Sequence, residues 1–269
     1  MLLNMTEQYI SSLQNQRVKR VLALQQKSQE RRREGLFVVE GARELQHCVE
    51  AGMQVDSLFL CPDICPMSPE SFGVGEERVF LVSQKVYERI AYRGSTEGVL
   101  ALIEAKILRL EDLKLGSQPL IVVLESVEKP GNLGAVLRSA DAAHADAVIV
   151  CDPLTDLYNP NLIRSSIGAI FTVPTVACSS EECIAFLQTR GIQILTAQLQ
   201  DSKVYYDTDM RQPTAIVMGT ESTGLTQIWR EAASAHIRIP MLGRLDSLNV
   251  SVSASILLFE AVRQRQLCK

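Results

Sequence analysis

Short apolar runs alternate with amphipathic stretches along most of the chain, the pattern of strand alternating with helix. Residues 7–33 read as one amphipathic helix, with Ile10, Leu13, Val18, Val21 and Leu22 on one side. The pattern then predicts a strand at 36–39, a helix at 42–51 and a strand at 55–60, and repeats that order at 78–82, 83–91 and 98–104. The charged stretch 106–118 ends in Gly-Ser-Gln-Pro and reads as a linker. Beyond it, "LIVVLESV" is a near-continuous apolar strand of the kind buried on both faces. Helix 132–144, strand 146–152, helix 159–171, strand 172–178, helix 180–190 and strands 192–198 and 214–219 come next. Helix 222–233, strand 236–240 and a closing helix complete the series.

The expected fold class is therefore α/β. A basic helical segment (1–33) precedes a small α/β domain (34–105), the linker (106–118) and a domain over 119–269 built on a mostly parallel sheet covered on both faces. The start of the closing helix is ambiguous. In "GRLDSLNVSVSASILLFEA", Val250, Val252, Ile256 and Phe259 alternate with serines as a strand does, while Ala254, Leu257 and Leu258 favour a helix. Ser247, Asn249, Ser251, Ser253 and Ser255 suit a helix N-terminus better than an interior, because their side chains compete with helical backbone bonding.

Composition narrows the classes. At 269 residues and 46% hydrophobic, the chain supports a packed core, and no apolar run reaches membrane-spanning length. The polar N-terminus does not read as a secretory signal, and the cytoplasm is the expected location. Seven scattered cysteines, without zinc-finger spacing or clustered histidines, read as reduced thiols, so no metal is expected. The net charge of −4 hides an asymmetry: residues 1–33 hold seven basic side chains against Glu7 and Glu30, a local +5 on a body of −9. Such a segment suits phosphate contact, and the same charges suit a solvated helix face.

Three strand-end loops are rich in Gly, Asn, Ser and Thr: "ESVEKPGNLGAVLRSADAA", "VMGTESTGLTQIW" and "IRIPMLGRLDSLNVSVSAS". Ligands of open α/β sheets bind beyond the carboxyl ends of strands. Converging loops would gather Arg138, Glu221, Asn132, Asn249, Ser247 and Ser251 with much bare backbone. Arg138 also suits a tight strand-to-helix turn in which it is solvated or paired to a nearby carboxylate, and Glu221 suits a carboxylate at a helix start. The spacing Gly131/Gly134 is not the dinucleotide fingerprint, which argues against a nicotinamide oxidoreductase. His47, His144 and His236 lie outside the loop centres, so a Ser-His-Asp apparatus is unsupported. The inventory suits a reaction that depends on orienting two large partners.

"PGNLGAVLRSA", "RSSIGAIF", "MGTESTGL" and "RIPMLGRLDSLNVSVSAS" resemble, in order and spacing, the motifs of SpoU (TrmH-like) RNA 2′-O-methyltransferases of the SPOUT superfamily. "LFVVEGARELQHCVEAG" and "STEGVLALIE" resemble the substrate-binding domain, similar to ribosomal-protein folds, that precedes the catalytic domain in many members. The chain departs from the family pattern at Ile167, where relatives often have a small residue, and at Glu97, where glutamine is frequent.

The resemblance implies a deep trefoil knot, an exception to the rule that chains do not knot. It implies S-adenosylmethionine as cofactor, held at Gly219, Thr220, Ile239, Met241 and Leu248. It implies a homodimer and an RNA substrate, ribosomal RNA in preference to tRNA, with an inactive RNA-binding protein as the alternative. Arg138, Asn132, Glu221, Ser247 and Asn249 are the implied catalytic group. The family sometimes treats the arginine as a base, but an arginine pKa above about 12 suits phosphate anchoring and alkoxide stabilisation better.

Overall fold

The computed structural model describes residues 8–92, 97–220 and 223–266. The chain divides into two compact units: one of residues 1–106 with 158–171, the other of 107–157 with 172–269.

The first unit opens with strand β1 (Tyr9–Ile10), helix α1 (Gln16–Gln26) and helix α2 (Ser28–Glu34). This corrects the single helix expected over 7–33. Asn15 caps α1, its side chain accepting from the Arg17 amide at 2.8 Å, and Gly35 ends α2 in the left-handed region (φ 64°). Strand β2 (Leu36–Glu40), helix α3 (Ala42–Glu50), strand β3 (Val55–Leu60), strand β4 (Val79–Val82), helix α4 (Gln84–Ile90) and strand β5 (Val99–Glu104) follow. The sheet order is β1-β4-β3-β5-β2, with β1, β4 and β3 mutually parallel and β5 antiparallel to both β3 and β2. Val18, Val21 and Leu24 of α1 are fully buried with Leu100, Leu102 and Tyr87, so the basic segment is part of this core and not an appendage.

The second unit contains strand β6 (Leu120–Glu125), helix α5 (Pro130–Ala142) and strand β7 (Ala147–Cys151). The chain then gives two short helices to the first unit, α6 (Pro160–Ser166) and α7 (Ala169–Thr172). One continuous helix was expected here. Ile167 (φ 54°) and Gly168 (φ 85°) break it, and a Cβ on Gly168 would stand 2.7 Å from the His47 ring. The chain returns through strand β8 (Thr175–Cys178), helix α8 (Ser180–Thr189), strand β9 (Gln193–Ala197), the short strand β10 (Lys203–Val204) and strand β11 (Thr214–Met218). Helix α9 (Gln227–Ala232), strand β12 (Ala235–Arg238) and helix α10 (Val250–Gln266) close the unit.

Its seven strands run in the order β10-β12-β9-β11-β6-β7-β8, every pairing parallel. Ile121 and Val123 enter a core with Trp229 of α9 and Leu187 of α8. The alternate residues Val122 and Leu124 are equally buried and face the other way, which is why this strand reads as an unbroken apolar run. Stretch 106–118 is not a free linker: Leu113 is buried in that core, with Leu108, Leu110 and Leu115 packed against it. In α10 the buried positions are Val250, Ala254, Leu257, Leu258 and Ala261, a helical period that resolves the sequence ambiguity. Among the described residues no helix is long and apolar enough to cross a membrane.

Candidate active site

Three loops leave the carboxyl ends of β6, β11 and β12. The first leads from Glu125 to α5, which begins two residues earlier than expected because Pro130 occupies its first position. The second leaves Gly219 and leads to α9, which begins at Gln227, five residues later than the helix expected at 222–233. The Gly224 amide donates to the Thr220 carbonyl at 3.1 Å, and the Thr223 amide donates to the Thr220 hydroxyl at 3.0 Å. A Cβ on Gly219 would run into the Gly224 carbonyl, so the tight loop requires glycine there.

Glu125 fastens the first loop to the second. It is 3% exposed, and its carboxylate accepts from the Thr226 amide at 2.8 Å and from the Thr226 hydroxyl at 2.5 Å. Sequence reading passed over this residue, although a lone carboxylate closing an apolar strand was the available signal.

The third loop brings in α10. Asn249 is its N-terminal anchor: its side-chain oxygen accepts from the Ser251 amide at 3.0 Å and the Ser251 hydroxyl at 2.6 Å, and its carbonyl accepts from the Val252 and Ser253 amides. Its side-chain amide donates to the Asn132 side-chain oxygen at 3.1 Å. One turn on, the Ser255 and Ser139 hydroxyls bond at 2.6 Å, tying α10 to α5. The polar run that opens α10 therefore caps the helix and locks it to its neighbour.

A cleft of about 370 Å³ lies among these loops, lined by Gly219, Thr220, Ile239, Met241, Ser247 and Leu248. It contains all five expected cofactor positions. A smaller hollow of about 160 Å³ shares Gly219, Thr220 and Val250 with it and adds Asn132 and Lys129. The first, second and third loops thus meet. Glu221 lies outside the described residues.

Arg138 does not line the cleft. It is exposed on α5, in a separate hollow of about 350 Å³ with Ala135, Ser139, Val252, Ser255 and Phe259. Six residues beyond Asn132, it lies roughly 9 Å along the helix and well around its circumference. Sequence proximity suggested one site, and helical geometry separates the two positions within a single chain.

Two residues that sequence reading did not single out also line the cleft: Gln198, just past the end of β9, and Arg230 on α9. The Gln198 Oε1 and Arg230 Nε atoms are buried with no hydrogen-bond partner among the described residues. Buried polar atoms are normally satisfied, so an acceptor and a donor left open in a cleft fit a polar ligand. Met218, Leu225, Ile237, Ile239 and Leu248 supply apolar walls, Asp246 a carboxylate, and the Gly219–Gly224 approach exposes backbone. This donor set fits S-adenosylmethionine, which joins a purine and ribose to a cationic sulfonium. Examining every strand's carboxyl end, not only the Gly-rich three, would have found Gln198.

Residues 119–259 match the model of the SpoU rRNA Methylase family, and residues 15–101 match that of the MRM3-like substrate binding domain. The chain belongs to the SpoU rRNA methylase family. It is 31% identical over 93% of its length, and 91% of the relative's, to the 23S rRNA (uridine(2479)-2′-O)-methyltransferase of Streptomyces viridochromogenes. A crystal structure of an RNA 2′-O ribose methyltransferase is 37% identical, covers 96% of this chain and 99% of its own, and superposes with a TM-score of 0.83. The AdoMet-bound rRNA methyltransferase from Sinorhizobium meliloti is 30% identical, with coverages of 95% and 97% and a TM-score of 0.86. The α/β architecture and parallel sheet expected from the sequence are those of this SpoU family. The expected second division, 119–269, differs from the compact unit, which takes in 107–118 and leaves out 158–171.

Proposed function

We propose that this SpoU family member methylates a ribose 2′-hydroxyl of ribosomal RNA, with S-adenosylmethionine as donor. When bound, the donor would supply a methyl carbon made electrophilic by its sulfonium, and the residues of the cleft would hold it and orient the ribose hydroxyl towards that carbon. The observation that carries the reading is the meeting of three strand-end loops at one cleft, fastened by the Asn132–Asn249 bond and holding unpartnered Gln198 Oε1 and Arg230 Nε. The donor's adenosine would lie against Gly219, Thr220, Ile239, Met241 and Leu248. Asn132, Ser247 and Asn249, with Glu221 two positions after Gly219 in the sequence, would orient the sugar. Such a site works by positioning.

Arg138 enters this scheme from a second copy of the chain. It stands beside Val252 and Phe259, which are 46% and 48% exposed, an apolar face that a homodimer would cover. In that arrangement each cleft receives the partner copy's guanidinium, which anchors the phosphate next to the reacting sugar. The knot of the family belongs to the same proposal, since the loops at 219–226 and 239–249 are the segments it would involve.

Ribosomal RNA is favoured over tRNA because relatives aligned along nearly the whole chain carry rRNA methyltransferase names. Mass mapping of 2′-O-methyl groups in rRNA and tRNA, from cells with and without the gene, tests the substrate. A single rRNA site losing its methyl group is expected; a loss confined to tRNA, or none, contradicts the proposal.

A further inference from the structure

Outside the cleft, three cysteines that look unrelated in sequence come together. Cys151 ends β7 and Cys178 ends β8, and the parallel register sets them side by side. Cys183 lies in the first turns of α8, whose start is fixed by a reciprocal cap: the Glu182 amide donates to the Ser179 hydroxyl, and the Ser179 amide to the Glu182 carboxylate. The three sulfurs all lie within 4.8 Å of one another. Cys151 and Cys183 are fully buried, and Cys178 is partly exposed. None of them lines the cleft.

We propose that Cys151, Cys178 and Cys183 form a site for one thiophilic divalent cation of the zinc class. Tetrahedral zinc–thiolate bonds of about 2.3 Å set sulfurs roughly 3.8 Å apart, so the observed cluster needs only a small contraction. Three protein sulfurs leave a fourth position, reached from the side on which Cys178 meets solvent, for water. The surrounding groups are already fixed. Asp152, next to Cys151, accepts from the Ser180 hydroxyl at 2.6 Å and the Ser180 amide at 3.3 Å, and the Ser180 oxygen accepts from the Trp229 indole at 3.0 Å. This chain of bonds joins the end of β7 to the start of α8 and α9, and so holds the ligand-bearing segments in place without the ion. Binding exchanges three thiol protons for the cation. The separation in sequence hid the cluster, because only the strand register brings residue 151 to residue 178.

The full-length chain, reduced and stripped with a chelator, would be titrated with Co²⁺ under anaerobic conditions. A sulfur-to-cobalt charge-transfer band in the near ultraviolet, with strong tetrahedral visible bands, saturating at one equivalent and abolished by Zn²⁺, is the expected result. Cys178→Ser should lose the band and Cys48→Ser, in the first unit, should keep it. Zn²⁺ should also raise the unfolding temperature of the unaltered chain and not that of Cys178→Ser. Absence of a charge-transfer band in the unaltered chain, a band that survives in Cys178→Ser, or a Cys151–Cys178 disulfide in place of ion binding would each overturn the proposal.

Discussion

The side-chain amide of Asn249 donates to the side-chain oxygen of Asn132 across 3.1 Å, joining residues 117 positions apart. That bond closes the site, while the Asn249 side-chain oxygen separately caps α10. Replacing each residue separates the two roles. Asn249→Ala loses cap and bond and should be destabilised by about 1 kcal/mol. Asn132→Ala leaves the cap intact and should cost less stability. Both should depress the methyl-transfer rate, measured beside thermal unfolding of each variant.

Arg138 gives the most informative variant. Because it lies off the cleft of its own chain, Arg138→Ala should bind S-adenosylmethionine normally by calorimetry yet lose methyl transfer. Gly219→Val should lose cofactor binding, since any side chain there strikes Gly224. Mixing the two inactive variants and allowing subunits to exchange should restore activity. No recovery in demonstrably mixed dimers would place the arginine's action within one chain.

Arg230 and Gln198 test the cofactor assignment independently of catalysis. Arg230→Met keeps the apolar stem and removes the Nε donor, so the dissociation constant for S-adenosylmethionine should rise several-fold with little change in unfolding temperature. An unchanged constant would mean that the Arg230 Nε does not meet the ligand.

The basic N-terminal segment needs a finer test than deletion, because Val18, Val21 and Leu24 are core residues and removing them would unfold the first unit. Several of its charges are already engaged. Arg31 donates to the Leu24 and Gln25 carbonyls, Arg20 pairs with Glu34 and Asp56, Arg33 pairs with Glu30, and Arg17 lies 4.0 Å from the Phe80 ring centre. Lys19, Lys27 and Arg32 are exposed. Changing these three to Gln should weaken RNA binding and flatten its salt dependence, by roughly one unit of slope for each phosphate that is no longer neutralised. An unchanged slope would mean that they merely solvate the helix.

Most strands could be read from local pattern, since burial on both faces forces continuous apolar runs such as residues 120–124 and 147–150. The loops' local conformations could be read as well, because close backbone approach demands glycine at 219 and a helix start favours Asn249. The position of Arg138 relative to the cleft could not, because six residues of helix turn it away. Nor could the passage of residues 158–171 into the other unit, which depends on tertiary packing: Tyr158 stacks on Phe37 at 4.1 Å between ring centres. The break at Ile167 is equally non-local, because a β-branched residue in the left-handed region is held there only by its surroundings. The cysteine cluster depends on strand register, which no spacing rule encodes.

The central claim is the chemistry of transfer. Purified protein would be incubated with ribosomal RNA and S-adenosylmethionine carrying a labelled methyl group, and the RNA then hydrolysed in alkali. A 2′-O-methyl group blocks cleavage at its own phosphodiester, so the label should appear in an alkali-resistant dinucleotide and nowhere else. Label recovered in ordinary mononucleotides, which would mean a methylated base, or no label in RNA at all, would contradict the account.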